Sequence, residues 1–153
     1  MQWMVVGVDG SENSRRALEW AFEEARLRNA RLEVVHVWKT PHMAPYELTA
    51  YNTKACEEAA RRVLDEMVPE RPSVEPVAVE KILVRGSAAR GLLEASKGAD
   101  LLVVGSRGQG GFAGLLLGSV GHQLACHASC PVVVVPPEHE PAETEAQFAT
   151  TDD

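Results

Sequence analysis

Three observations in the amino-acid sequence predict an α/β domain, a doubly wound five-stranded parallel sheet sandwiched by four helices. Short apolar runs such as Leu101-Leu102-Val103-Val104 lack polar alternation, as strands covered on both faces do. Segments with helical periodicity separate these runs, giving the order βαβαβαβαβ. Glycine-bearing turns stand at the carboxyl ends of the strands, where doubly wound sheets bind ligands.

Residues 4–8 read as the first strand, ended by Asp9-Gly10-Ser11. Ser11 or Ser14 caps the helix that follows. Its Leu18, Ala21, Phe22 and Ala25 fall at i, i+3, i+4 and i+7, a core stripe. Residues 31–38, with Leu32, Val34, Val35 and Val37, form the second strand. A loop with Pro41 and Pro45 leads to a second helix over residues 49–67. Pro69, Pro72 and Pro76 punctuate the next linker. The third strand covers residues 77–84, and Gly86 and Ser87 turn it into a helix over 88–97. The fourth strand is 101–104, and after a glycine-rich loop the fourth helix runs over 115–127. Residues 132–135, between prolines, make the last strand. No internal repeat interrupts this order.

At 153 residues the chain is one domain's worth and can bury a core without disulfide or metal staples. The N-terminus lacks a basic region and a long apolar run, and no run approaches the ~20 residues of a membrane span. Three cysteines, an odd number, fit a reducing compartment. A cytoplasmic protein with no membrane partner is expected. The formal charge of −7 divides unequally. Six carboxylates, Glu138, Glu140, Glu143, Glu145, Asp152 and Asp153, follow Pro137 with no lysine or arginine, which leaves −1 for residues 1–137. Residues 1–137 are therefore expected to be the domain and 138–153 an acidic, disordered tail. An acidic balance argues against nucleic acid, which requires excess Lys and Arg.

His122, Cys126 and Cys130 are spaced four apart, with His127 between them. Pro131 ends the helix before Cys130 and breaks that face, and no second cluster completes a zinc site, so no metal site is expected. Small buried thiols at a helix-to-strand junction are the simpler reading.

Gly105-Ser106-Arg107-Gly108-Gln109-Gly110-Gly111 follows a buried strand and opens a helix. Four glycines in seven residues allow close backbone approach and positive φ. Successive N–H groups can form an anion nest, and Arg107 can reach a phosphate. Ser119 adds a hydroxyl. A Walker A loop is excluded, because no lysine follows Lys97. Gly108-x-Gly110-x-x-Ala113 fits the dinucleotide fingerprint, but it sits in the last βα unit and no acidic residue ends the next strand. Gly118-Ser119-Val120-Gly121 is not a nucleophile elbow, since the serine follows its glycine directly. His122 and Ser119 are three apart on one helix and make no nucleophile–base pair.

Gly105, two residues, Gly108, nine residues, then Gly118-Ser119 fill the pattern G-x2-G-x9-G-[ST]. This resembles the ATP-binding type of universal stress protein, over about residues 3–136. Gly7-Val8-Asp9-Gly10-Ser11, Val35-His36-Val37, Gly86 and Cys130-Pro131-Val132-Val133-Val134-Val135 extend the match. Ala88 departs from it, where the family often has proline. The resemblance implies an adenine nucleotide α-hydrolase-like, Rossmann-like fold and a site for ATP with magnesium. In that site Gly7 belongs to the opening turn and Asp9 lines the adenosine side, although Asp9 also reads as a plain helix cap. Val37 offers backbone hydrogen bonds to adenine. Gly105, Ser106, Arg107, Gly108, Gln109, Gly110 and Gly111 wrap the ribose and phosphates, and Gly118, Ser119 and Val120 close on the phosphates. His36 reads as a core histidine. The resemblance also implies a homodimer through the edge strand Val132 to Val135, whereas the bland reading of that strand is an internal one.

Three functions follow from these residues: a nucleotide-binding regulatory module of the stress response, a slow ATPase or nucleotide-transferring enzyme, and a protein-interaction module with structural nucleotide. No catalytic residue stands out.

Overall fold

The computed structural model of the chain describes residues 1–40, 49–68, 77–108 and 117–138. Five strands and four helices alternate: β1 Trp3–Val8, α1 Glu12–Arg28, β2 Arg31–Trp38, α2 Thr49–Met67, β3 Val79–Arg85, α3 Ala88–Ala95, β4 Leu101–Gly105, α4 Ser119–His127 and β5 Val132–Val135. The strands form one parallel sheet in the order β3-β2-β1-β4-β5. Val6 of β1 stands between Val34 of β2 and Val103 of β4. The chain winds outward from β1 to β3, crosses back to β4, and winds out the other way. The switch point therefore lies between the carboxyl ends of β1 and β4.

Strand periodicity sorts the core into two layers. Met4, Val6 and Val8 face the α1 and α2 side, where they meet Ala17, Leu18, Ala21 and Ala25 of α1 and Leu64 and Met67 of α2. Val5 faces the other side with Val35, Leu102 and Val104, under Leu92 of α3 and Leu124 of α4. Burial on both faces is what the uninterrupted valine runs require.

Several boundaries differ from the sequence reading, each for a local reason. Of the two candidate caps, Ser11 is the one used: its hydroxyl accepts from Ser14 N at 3.1 Å. Phe22 is only partly buried beside the stripe of Leu18, Ala21 and Ala25. Asn29 takes a left-handed conformation (φ 51°) and ends α1. β3 starts two residues later than expected and extends to Arg85, following its pairing with β2 out to Trp38. α3 stops at Ala95, short of Lys97, ahead of Gly98 with φ 84°. α4 begins at Ser119 rather than Leu115, because Gly118 is extended and acts as its N-cap. Leu115 itself, the 41–48 loop, the 69–76 linker and residues 139–153 of the acidic tail lie outside the described residues.

Candidate functional site

The β1-to-α1 turn is built from its own polar groups. Asp9 Oδ1 accepts from Ser11 N at 2.9 Å, an Asx turn. Ser14 Oγ donates to Ser11 O at 2.9 Å and accepts from Asp9 N at 3.3 Å. Gly10 has φ 82°, a conformation that β-carbons resist. So Asp9 does hold the helix start, and its Oδ2 remains turned toward the β4 loop: a β-carbon on Gly108 would stand 2.7 Å from it.

The β4-to-α4 segment sits opposite. Ser106 N donates to Val135 O at 2.9 Å, Arg107 N to Asn13 Oδ1 at 2.8 Å, and Gly118 N to Ser106 O at 2.7 Å. The N–H groups of Ser106, Arg107 and Gly118 are thus used inside the protein, and an anion nest would have to draw on the other N–H groups of the loop, of which 109–111 lie outside the described residues. Positive φ is not the reason for the described loop glycines. Among the described residues the positive-φ glycines are Gly10, Gly86 and Gly98. Gly105 is glycine because a β-carbon there would come within 3.0 Å of Asn13 Cγ. Gly7 is glycine because α3 packs on it, with Leu92 Cδ1 2.8 Å from where its β-carbon would be.

Between the two segments lies a cleft of about 350 Å³, in the size range of small-molecule sites. It brings together Gly7, Asp9, Val37, Gly105, Ser106, Arg107, Gly108, Gly118, Ser119 and Val120, which the sequence singled out. Gln109, Gly110 and Gly111 fall outside the described residues. The sequence reading missed Val35, Ala88, Leu92, Val104 and Gly121 in the lining. It also missed Asn13, buried behind the wall. An asparagine in a helix's first turn reads as solvated, and only contact with a distant strand shows otherwise.

The two ends of the cleft differ chemically. Val35, Val37, Leu92 and Val104 make one end apolar and suited to a flat ring. At the other, Gly118, Ser119, Val120 and Gly121 present the first turn of α4. The first backbone bond of that helix is His122 N to Gly118 O. The N–H groups of residues 119–121 thus lack intrahelical acceptors and carry the positive end of the helix dipole. Arg107 Nε is buried, with no hydrogen-bond partner among the described residues. A buried unpartnered donor on a cation beside a helix N-terminus suits an anionic group.

His36 is buried, with Nδ1 2.8 Å from Val8 O, as a core histidine would be. The thiol expectation needs one correction, because Cys126 is exposed. Cys130 is half-buried, and desolvation pushes its thiol above the ordinary range, against a hydrogen bond with Ser96. Among the described residues no three metal-ligating side chains cluster, and no helix is long and apolar enough to cross a membrane.

Fold and cleft together define a class: doubly wound α/β domains with a ligand cleft at the topological switch point. Within it the chain belongs to the universal stress protein family, which it matches over residues 1–136. A universal stress protein of Mycobacterium tuberculosis is 41% identical over 132 residues, covering 86% of this chain and 44% of that protein. The chain thus spans under half the length of the curated relatives of this kind. The solved UspA of Lactobacillus plantarum superposes with a TM-score of 0.72 over 88% of this chain and 97% of its own, at 19% identity, a likeness of fold. A universal stress protein solved in complex with cAMP is 29% identical, with a TM-score of 0.58 over 88% of this chain and 96% of its own.

Proposed function

We propose that the chain is a universal stress protein of the ATP-binding type, a regulatory module that takes ATP with magnesium in this cleft. The observation that carries the reading is the pairing of Arg107 Nε, buried and unpartnered among the described residues, with the open first turn of α4. The G-x2-G-x9-G-[ST] spacing supports it, as does the cAMP complex of a relative 29% identical. In this reading Gly7 and Asp9 border the adenosine, and Val37 meets adenine through its backbone. Gly105 to Gly111 follow the ribose and phosphates, and Gly118, Ser119 and Val120 close on the phosphates. Magnesium takes its ligands from phosphate and water. Residues 1–137 form the domain and 138–153 an acidic tail outside it, and the protein works in the cytoplasm.

A slow ATPase is the second reading. It needs a positioned base, and the one acid lining the cleft among the described residues, Asp9, already holds the Ser11 N–H through Oδ1. Titrating the full chain with ATP and magnesium in a calorimeter, then following phosphate release, separates the readings. Stoichiometric binding with negligible turnover is expected. Many turnovers per hour would favour the enzyme, and refusal of ATP, AMP and adenosine alike would leave an interaction module.

We also propose a homodimer through β5. That strand lies at the sheet edge beyond β4, and Val132, Val133 and Val134 are only half-buried. An open apolar edge is a pairing template, and a second copy would cover it by two-fold symmetry. Light scattering at micromolar concentration should give twice the chain mass; a monomer there would end the dimer reading.

A further inference from the structure

We infer that Asn13 is a positioning residue for the phosphate end of the cleft, setting the protein's preference for phosphate-bearing ligands; this rests on the nucleotide reading above. Asn13 is buried in the first turn of α1 and is not part of the cleft lining. Its amide joins three segments. Nδ2 donates to Val135 O at 3.0 Å, at the end of β5. Oδ1 accepts from Arg107 N at 2.8 Å and from Ser106 Oγ at 3.3 Å, just beyond β4. Val135 O also accepts from Ser106 N at 2.9 Å, which closes the set.

The chemistry singles out this residue type. Val135 offers an acceptor and Arg107 a donor, so the side chain between them needs both functions on one short rigid plane. Aspartate lacks the donor, serine lacks the reach, and glutamine is one methylene too long. The helix turn carrying Asn13 is also why Gly105 must be glycine, since a β-carbon there would lie 3.0 Å from Asn13 Cγ and 3.1 Å from its backbone carbon. The first glycine of the G-x2-G-x9-G-[ST] pattern therefore makes room for Asn13 as well as lining the cleft.

The consequence falls on Arg107. With its backbone N–H fixed by Asn13, the Arg107 side chain starts from a set point, its Cα close to Gly118 at the N-cap of α4. Without Asn13, the N–H and the Ser106 hydroxyl lose their acceptor and the segment can re-orient. The apolar end, around Val37 and Leu92, is untouched. The loss should therefore track phosphate rather than adenosine.

The test compares Asn13→Ala with the wild-type full chain by calorimetry with ATP, AMP and adenosine, with melting curves confirming the fold. ATP affinity should fall about tenfold or more, the scale of a displaced charge-assisted contact, while adenosine affinity stays within about twofold. Equal weakening of all three ligands, or no change, would overturn the inference while leaving the nucleotide reading intact. Amide hydrogen exchange of Arg107 in the unliganded wild type tests the anchoring step by itself, even if the variant fails to fold. Marked protection is expected, and exchange at the intrinsic rate would show that Asn13 does not hold this N–H.

Discussion

The two turns that meet at the switch point are built to opposite ends. After β1, the turn spends its polar groups on itself: Asp9 on Ser11, Ser11 on Ser14, Ser14 on Asp9 and Ser11. After β4, the backbone donors of Ser106, Arg107 and Gly118 are satisfied inside the protein, but Arg107, whose Nε has no partner among the described residues, and the first turn of α4 both line the cleft. The first arrangement fixes a helix, and the second leaves donors where an anion can use them. Stability should therefore reside mainly in the β1 turn and affinity mainly in the β4 segment.

The largest expected effect comes from a place where the turns touch. Gly108→Val would place a β-carbon 2.7 Å from Asp9 Oδ2 and add two methyl groups behind it. Asp9 cannot swing away freely, because Oδ1 holds Ser11 N at 2.9 Å. The valine should close the cleft, and ATP affinity should drop by more than about 100-fold, or roughly 2.8 kcal/mol. Because Asp9 also holds the start of α1, part of the clash falls on the fold, and the melting temperature should drop as well. Calorimetry beside a thermal melt checks both halves. Retained affinity would mean that the loop does not approach the ligand.

The next effect sharpens the contrast. Arg107→Ala removes the guanidinium, whose Nε is buried, but keeps the backbone N–H that Asn13 accepts. A hydrogen bond to a charged group contributes about 1.5–3 kcal/mol, so ATP affinity should fall roughly 10- to 100-fold. Removing a donor unpartnered among the described residues should not lower the melting temperature. Parallel titrations with ATP and adenosine test this, and a deficit shared by adenosine would place Arg107 elsewhere than at the phosphates.

How much of this was legible beforehand follows from the range of the interactions. The sheet was readable because the unbroken apolar runs Leu101 to Val104 and Val132 to Val135 mark strands by composition alone. The cleft's members were readable where glycine spacing marks a turn, as at Gly105, Gly108 and Gly118. Their reasons were not. Gly105 is small for Asn13, and Gly7 is small for Leu92, which are tertiary facts no local window contains. Asn13 stayed hidden for the same cause: its partner Val135 is 122 residues away. The start of α4 was misplaced because Leu115-Leu116-Leu117 continues the apolar pattern, while the extended backbone of Gly118 sets the boundary.

The smallest expected effect comes from the β1 turn and runs the other way. Ser11→Ala removes the hydroxyl that accepts from Ser14 N at 3.1 Å and leaves the Ser11 backbone N–H on Asp9 in place. Losing an N-cap costs about 1 kcal/mol, which for a domain of this size lowers the melting temperature by roughly 3–5 °C. The cap bond faces the helix start rather than the cleft, and Ser11 is absent from the lining. ATP affinity measured well below the melting transition should therefore stay within about twofold. If Ser11→Ala instead weakened ATP as Arg107→Ala does, the β1 turn would be shaping the ligand site through Asp9, and the separation of the two turns would fail.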